Sequence, residues 1–421
     1  MRIAFVSYEY PPETAFGGIA TYVEQAALML AERGHQVEVF AASPTQDSSL
    51  EQQGVVVHRV RCVNQLHFYR LIFPVFEQHH KEHAFDVVES PDYKHDGYWI
   101  AKKIPDLAHV MRLHSGNHTS MRLFEIPPRH GTLMKGANHF YALLMAFGGA
   151  IKRGMPWKDF EGFCDYYKEV WNAGINDRRA AEGCDLIVSP CLDLLRFQAR
   201  VWNLDPRKLA LLPYPYLPNP QLLDIPCGSR GQVVGYFGQM SERKGLQALG
   251  EALPLIFRRY PEVRFLFVGK DYGRSDGESF ANYLRRQAGV FASQLEFTGQ
   301  VTLKDMHREY ARVDICVFPS IWENFPNVCL EAMCAGRAVA ASWSGGMAEM
   351  LDTGRFGLLF PPRSPVQLAQ AVFCLLENPG LCQELGKRAR QRVLNCYGRE
   401  EIAPFQEALY RQAIDMRRAR G

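Results

Sequence analysis

The sequence lacks an excess of charge of either sign. Its 421 residues include 48 Lys and Arg against 45 Asp and Glu, which leaves a formal net charge of +3. No long basic run interleaved with aromatic residues occurs, so nucleic acid is excluded as an expected partner. Charged residues make up 22% and hydrophobic residues 47% of the chain, as in ordinary folded domains, which excludes extensive disorder.

Metal-binding and disulfide patterns are also missing. The eleven cysteines are scattered, without Cys-x-x-Cys pairs or the Cys and His spacings of zinc sites. We therefore expect reduced cysteines, no bound metal and a cytoplasmic location.

Long hydrophobic runs are absent. The apolar stretch at residues 1–7 is too short for the hydrophobic region of a signal peptide, and no cleavage site follows it. The longest largely apolar segment, residues 137–151, falls short of the ~20 residues that a bilayer-spanning helix needs. We expect neither export nor a transmembrane helix.

The sequence does contain short apolar runs that alternate with longer helical patterns. Runs rich in Val, Ile, Leu and Phe are typical of parallel strands buried on both faces. The pattern occurs twice and predicts an α/β protein with two Rossmann-like, doubly wound parallel sheets. The predicted strands are residues 2–7, 36–42, 55–60, 85–90, 108–114, 185–189 and 209–213, then 232–237, 263–268, 294–298, 314–319, 338–342 and 357–360.

The length of the chain and its prolines predict two domains. Residues 213–231 carry five prolines and are predicted to form the linker. The predicted domains are 1–220 and 221–396, with a C-terminal helix at 397–421 that packs back on the first domain. Residues 116–180 interrupt the alternation with a long, aromatic and basic segment, which we expect to be a helical insertion; acceptor binding or membrane-surface contact are the alternatives.

Two features of the first domain follow predicted strands. Gly17 and Gly18 end the loop after the first strand, where glycines and a helix N-terminus favour a phosphate, although an ordinary tight turn is the alternative. The loop lacks the Gly-x-Gly-x-x-Gly spacing, which argues against a nicotinamide or flavin site. His114 ends another strand and could bind a sugar hydroxyl or move a proton, although a lone histidine is commonly structural.

The second domain carries a cationic loop after its first strand. Gln239, Arg243 and Lys244 lie between residues 232–237 and the next helical pattern. A lysine at this place can neutralise a diphosphate and the charge that develops on a leaving nucleotide. The alternative is a solvated surface lysine.

The most informative motif is Trp322-Glu-Asn-Phe-Pro-Asn-Val-Cys-Leu-Glu-Ala332, which follows a predicted strand. Pro326 suits the first turn of a helix. Glu323 then lies in the loop and Glu331 about one turn inside the helix, since a turn takes ~3.6 residues. Glu331 could accept hydrogen bonds from both ribose hydroxyls. Further donor-binding candidates are Asn324, Phe325, Asn327 and Val328.

These motifs resemble those of the retaining GT-B glycosyltransferases known as glycosyltransferase family 4. The resemblance extends over nearly the whole chain and rests on the Gly17-Gly18 loop, Lys244-Gly245, and the two glutamates eight residues apart in the setting Leu330-Glu331-Ala332-Met333. It implies two Rossmann-like domains facing a central cleft. It also implies a metal-independent hexosyltransferase that retains the anomeric configuration by front-side displacement.

The resemblance also implies roles for single residues. Glu331 would bind the ribose, Glu323 the donor sugar, Lys244 the diphosphate and Gly18 a phosphate, while His114 would contact the sugar near the reacting carbon. His114, Glu323 and Lys244 form the expected catalytic set.

The implied donor is a nucleoside-diphosphate sugar, with a UDP-sugar expected, and no metal cofactor. The implied acceptor is a hydroxyl of a carbohydrate, lipid-linked or small molecule, as in polysaccharide or glycoconjugate biosynthesis, with peripheral contact to the inner membrane face as an open alternative. The sequence departs from the family at Gln239, where an Arg is common, and Arg243 is the candidate replacement. A sugar-nucleotide epimerase or hydrolase, or an inactive nucleotide-sugar-binding protein, are the alternative functions.

Overall fold

A computed structural model describes residues 1–15, 17–114, 116, 172–228 and 232–420. The chain forms two compact units: unit 1 comprises Met1–Tyr216 with Arg399–Gly421, and unit 2 comprises Leu217–Gly398. The sequence places the domain boundary at residue 220 and assigns the C-terminal helix to the first domain. Most of the predicted insertion at 116–180 lies outside the described residues.

Unit 1 is built on an eight-stranded sheet with the order β3-β4-β2-β1-β5-β6-β7-β8. Its pairs are parallel except that β3 runs antiparallel to β4. The short, mostly exposed and polar β3 has no apolar run, and the sequence did not predict it. The strands are β1 (Arg2–Val6), β2 (Gln36–Ser43), β3 (Ser48–Gln52), β4 (Val55–Arg61), β5 (Val87–Pro91), β6 (Ala108–Arg112), β7 (Leu186–Ser189) and β8 (Leu209–Leu211).

Unit 2 contains a six-stranded, wholly parallel sheet with the order β11-β10-β9-β12-β13-β14. The predicted α/β class with two parallel sheets is confirmed. The strand order reverses between β9 and β12, and ligands of such sheets bind outside the carboxyl ends of the strands at this switch point. The strands are β9 (Val233–Phe237), β10 (Arg264–Val268), β11 (Leu295–Gly299), β12 (Ile315–Phe318), β13 (Ala338–Ser342) and β14 (Leu358–Phe360).

Helices cover both sheets, and none that the structure describes is long and apolar enough to cross a bilayer. Helix α1 starts after Gly17, buries Val23, Ala26 and Leu30 on one face, and ends before Gly34, whose φ is +82°. The described helices are α1 (Gly18–Glu32), α2 (Phe68–Glu82), α3 (Tyr98–Lys103), α4 (172–183), α5 (Leu192–Trp202), α6 (Pro220–Leu223), α7 (Leu246–Arg259), α8 (Phe280–Ala288), α9 (Met306–Ala311), α10 (Asn327–Cys334), α11 (Gly346–Met350), α12 (Pro365–Glu377), α13 (Pro379–Cys396) and α14 (Arg399–Arg418).

The C-terminal helix α14 is bound to unit 1 by buried polar contacts. The hydroxyl of Tyr410 donates to Glu89 on β5 at 2.9 Å, and Glu89 in turn pairs with Arg112 on β6 at 3.4 Å. Near the end of the helix, Arg417 lies 2.8 Å from the fully buried carboxylate of Asp185. The last element of the chain therefore completes the interior of the first unit.

Candidate active site

Two loops meet at the switch point of unit 2. Strand β9 pairs with β12, so the loops that follow these strands leave the same edge of the sheet side by side. Gly245 has a φ of +71°, and a Cβ there would lie 1.8 Å from the carbonyl oxygen of Pro319 in the other loop. The N–H of Ile321 donates to the carbonyl of Arg243 at 3.0 Å. Only a glycine at 245 allows this close contact of two backbones.

Lys244 and Glu323 form an ion pair across these two loops. The Lys244 Nζ lies 2.5 Å from Glu323 Oε1, and the two side chains are only 15% and 10% exposed. Burial by itself would raise the pKa of Glu323, but the charges of Lys244 and Arg243 outweigh it and hold the pKa below its usual value. Glu323 is therefore an ionised hydrogen-bond acceptor beside a cation. The carboxylate can accept a hydrogen bond from a hydroxyl group, and Lys244 can pair with a phosphate.

Glu331 lies in the second turn of α10, the helix that follows the loop of Glu323. Its Oε2 is 3.0 Å from the hydroxyl of Tyr310, which also lies 3.0 Å from the carbonyl of Val328 and stacks on Phe237 with ring centroids 3.9 Å apart. Part of the residue remains accessible, but burial of the carboxyl raises the pKa of Glu331 to about 7. This carboxyl can thus gain or lose a proton near neutrality.

The loop that carries Glu323 is fixed by its backbone. The carbonyl of Glu323 accepts the N–H of Gly346 at 2.9 Å, and a Cβ at Gly345 would lie 1.9 Å from the same oxygen. Asn324 is buried, and Phe325 packs edge-on against Tyr397 at 5.2 Å between centroids. Pro326 caps α10, and the N–H groups of its first turn, at Asn327 and Val328, have no partner inside the helix.

The cationic loop contains one positive charge in addition to Lys244. Gln239 is exposed, and its carbonyl accepts the hydroxyl of Tyr236 at 2.7 Å, so its backbone has a structural role and its side chain adds no charge. Arg243 is exposed and lies close enough to Glu323 to lower that pKa. Arg243 thus supplies a second positive charge at this edge of the sheet.

His114 follows β6 in unit 1 and is held on two sides. Its backbone N–H donates to Asp92 Oδ1 at 2.6 Å, and its Nδ1 lies 2.6 Å from the Tyr214 hydroxyl. Because that hydroxyl donates to the carbonyl of Leu113 at 2.8 Å, the network assigns the ring proton to Nδ1, which makes Nε2 the acceptor nitrogen. Burial and the charge of Arg112 hold the pKa of His114 well below its usual value, so the ring is neutral.

Buried carboxyl groups gather at the switch point of unit 1, between β1 and β5. Asp96 Oδ2 accepts the N–H of Tyr8 at 2.8 Å, which ties the two strand ends together. Burial raises the pKa of Glu9 and of Asp92 to about 7 in each case. A small cavity lies next to His114 and is lined also by Tyr22, Glu89 and Arg112.

The sequence-predicted site residues therefore fall into two groups. Lys244 and Glu323 are in contact, and Gln239, Arg243, Asn324, Phe325, Pro326, Asn327, Val328 and Glu331 lie on the same pair of loops or in the helix that follows. Gly17, Gly18 and His114 belong to unit 1, where Gly17 caps α1. Sequence reasoning missed Tyr310 and Tyr214, which hold Glu331 and His114. Neither tyrosine belongs to a local motif, and each reaches its partner only through a tertiary contact.

Two protein families match the chain. The family described as "Glycosyl transferase 4-like domain" matches residues 17–215, and the family described as "Glycosyl transferases group 1" matches residues 231–378. An uncharacterised glycosyltransferase of Methanocaldococcus jannaschii is 25% identical over 426 aligned positions, which cover 99% of both chains. A phosphatidyl-myo-inositol mannosyltransferase of Mycobacterium tuberculosis is 36% identical over 155 positions, 35% of this chain and 39% of that protein.

Solved structures share the fold over the full length. Sucrose-phosphate synthase of Thermosynechococcus elongatus superposes with a TM-score of 0.70 at 22% identity and covers 98% of each chain. Anabaena HepE, determined in complex with UDP and glucose, superposes with a TM-score of 0.61 at 17% identity, covering 97% of this chain and 99% of its own. At these identities the likeness concerns the fold.

Proposed function

The chain is a GT-B glycosyltransferase, and from this premise we propose that it moves a sugar from a nucleoside-diphosphate sugar to a hydroxyl acceptor with retention of the anomeric configuration and without a catalytic metal. One observation carries the proposal. The Lys244–Glu323 ion pair lies at the switch point of unit 2, where a parallel sheet binds nucleotides, and Glu331 lies in the second turn of α10, the helix that follows the Glu323 loop.

Each group of this site suits one part of such a donor. Lys244 and Arg243 offer positive charge to the diphosphate, and the first N–H groups of α10 offer hydrogen bonds to an anion. Glu331 accepts the two ribose hydroxyls, and Glu323 accepts hydroxyls of the sugar. In unit 1, Gly18 and His114 keep the roles that the family resemblance implies, contact with a phosphate and with the donor sugar.

The reaction that we propose is a displacement on one face of the sugar. The acceptor oxygen bonds to the anomeric carbon as the bond from that carbon to the diphosphate oxygen breaks, and the acceptor proton passes to the departing diphosphate. Negative charge develops on the diphosphate, and Lys244 and Arg243 supply the positive charge that balances it. This supports a reaction that needs no divalent ion.

Two similar proteins favour particular substrates for this proposal. HepE has been determined with UDP-glucose, which favours a UDP-sugar as donor here. The mycobacterial relative is named as a phosphatidyl-myo-inositol mannosyltransferase, which favours a lipid-linked or carbohydrate hydroxyl as acceptor, in polysaccharide or glycoconjugate biosynthesis. Peripheral contact with the cytoplasmic membrane face belongs to the same proposal.

The experiment is a donor panel with the full-length protein. Nucleoside diphosphate release is followed for each nucleotide sugar in the presence of mixed hydroxyl acceptors, with and without EDTA, and NMR reports the anomeric configuration of the first product. We expect release from one donor, a product with the donor's configuration, and equal rates in EDTA. Release without any glycosylated acceptor would indicate a hydrolase, and binding of none of the donors would remove the transferase assignment.

A further inference from the structure

Glu38, His58 and His79 form a cluster on the α2-facing side of the sheet in unit 1. The His58 Nε2 lies 2.9 Å and the His79 Nδ1 3.5 Å from the same oxygen, Glu38 Oε2. The two imidazole rings are 4.0 Å apart between centroids. One ligand atom from each side chain lies within 4.8 Å of the other two.

The register of the sheet places two of these side chains together. Glu38 on β2 pairs with Val56 on β4, and Phe40 pairs with His58, so Glu38 and His58 are diagonal neighbours on one face. Helix α2 packs over this face and contributes His79 from its last turn. The cluster therefore joins three elements that are distant along the chain, which explains why a search for local Cys and His spacing did not reveal it.

We propose that this cluster binds a divalent transition-metal ion of the zinc class. Two ligand atoms at about 2.0–2.1 Å from a tetrahedral ion lie about 3.3 Å apart, and the two distances to Glu38 bracket this value. Two imidazoles and one carboxylate are the ligand types that zinc and its neighbours accept. His79 is 27% exposed, which leaves a path for water to a fourth position.

A second contact orients one ligand. The Nδ1 of His58 lies 2.9 Å from the hydroxyl of Ser49, which is directly opposite His58 on β3. When Nε2 binds a metal, Nδ1 carries the ring proton and donates a hydrogen bond. An oxygen acceptor in this place fixes the orientation of the ring. Ser49 provides that acceptor.

The position of the cluster indicates a structural ion. Glu38 is the third residue of β2, near the amino end of the strand, whereas the candidate catalytic residue of this unit, His114, follows the carboxyl end of β6. An ion here would cross-link β2, β4 and α2, and it would bind only the folded unit. It should therefore raise stability without entering the sugar-transfer reaction.

Zinc binding by the full-length protein tests the proposal. The protein is stripped with EDTA, ZnCl2 is added back, and bound zinc is measured after dialysis together with the unfolding temperature. We expect one zinc per chain and a higher unfolding temperature for the native sequence. His79→Ala changes a partly exposed helix residue and should lower the affinity for zinc by about 10-fold to 100-fold or more. His83→Ala, an exposed histidine at the end of the same helix, should bind as the native protein does.

Cobalt substitution identifies the ligands independently. We expect the visible spectrum of tetrahedral Co2+ with nitrogen and oxygen ligands, and no thiolate charge-transfer band, although free cysteines are present. Ser49→Ala should weaken zinc binding about 10-fold. Equal zinc binding by the native protein and His79→Ala, a thiolate band, or no binding by either protein would overturn the proposal and leave an ordinary ion-pair cluster.

Discussion

The pairing of Lys244 with Glu323 is unusual because it is nearly buried. Both side chains are at most 15% exposed, and taking two charges out of water is unfavourable unless further hydrogen bonds complete their coordination. A pair of this kind contributes little to stability compared with apolar residues of similar volume. Its position at a switch point is better explained by ligand binding, because both charges are already oriented before the donor arrives.

Removal of either charge should slow sugar transfer. Lys244→Met and Glu323→Gln are each expected to lower kcat by a factor of ~10² or more, because a charge that stabilises the transition state is lost. The loss of kcat in the double variant should be much smaller than the product of the two single losses, because each single variant already removes the ion pair. The measurement is steady-state turnover, with Lys387→Met on the exposed face of α13 as the control. Full activity in either single variant would exclude the pair from the mechanism.

The carboxyl of Glu331 should make donor binding depend on pH. Burial raises the pKa of Glu331 to about 7, and ribose hydroxyls donate to the ionised form, so binding lowers this pKa and releases a proton. Affinity for a nucleoside diphosphate should therefore rise by up to about 10-fold per pH unit below pH ~7 and level off above it. Calorimetry at several pH values measures this.

Glu331→Gln is the control for this effect, because it keeps the side-chain shape and removes the titration. The remaining pH dependence then belongs to the phosphates of the ligand. An identical pH profile for the native protein and Glu331→Gln would contradict the assigned role.

The sequence indicated these site residues for a physical reason. Lys244, Glu323 and Glu331 follow buried strands, and parallel strands direct such residues to one edge of a sheet. Their partners were not predictable in the same way. Tyr310 reaches Glu331 and Tyr214 reaches His114 only through tertiary contacts, 21 and 100 residues away in the chain. The raised pKa values of Glu9 and Asp92 likewise arise from burial, which spacing along a sequence does not report.

Among the elements, the turn from β9 into α7 depends on one glycine. Gly245 has a positive φ and faces the carbonyl of Pro319, so the turn fixes the distance between the two site loops. Gly277 also has a positive φ, +88°, but a Cβ there would have no neighbour within 4 Å. Substitutions at Gly245 and Gly277 therefore separate the effect of backbone strain, which both share, from the effect of the contact with Pro319, which only Gly245 makes.

Gly245→Ala should disrupt the site much more than Gly277→Ala. Both substitutions carry the cost of a left-handed backbone, about 1–2 kcal/mol. Gly245→Ala must also displace the Pro319 carbonyl, which should cost about 1–3 kcal/mol more and separate Lys244 from Glu323. Urea unfolding and sugar-transfer rates measure the two effects. Equal loss of stability and activity in the two variants would show that the loop contact is unimportant.

The elements were predicted where the apolar pattern was strong. All six strands of unit 2 were predicted, and their observed ends differ from the expected ones by only a residue or so, because each is a short apolar run between turn residues. The missed strand, β3, has the polar sequence Ser48–Gln52 and owes its conformation to antiparallel pairing with β4. Long-range pairing of that kind overrides local preference.

In the whole molecule, the C-terminal helix returns to the first unit. Asp185 is fully buried and accepts Arg417 at 2.8 Å and the backbone N–H of His109 on β6 at 2.9 Å. Arg420 lies 3.2 Å from its other oxygen. The charge of this buried carboxylate is balanced by two arginines from the C-terminal end of the chain, so unit 1 depends on α14 and the residues after it.

Arg417→Met should therefore destabilise unit 1 selectively. Removing one partner of a buried charge costs about 3–5 kcal/mol, and Arg420 should offset only part of this loss. Hydrogen–deuterium exchange should show faster exchange in α14 and β6, with unit 2 unchanged. Arg418→Met, at the exposed neighbouring position, is the control. Unchanged exchange in unit 1, or equal acceleration in both units, would contradict this anchoring.

The central claim is that the nucleotide part of the donor binds at the switch point of unit 2. A crystal structure with UDP tests it most directly. We expect diphosphate oxygens within hydrogen-bond distance, about 3 Å, of Lys244 Nζ and both ribose hydroxyls on the carboxylate of Glu331. A structure in which the nucleotide occupies another edge of the sheet, without contact to either side chain, would contradict the account.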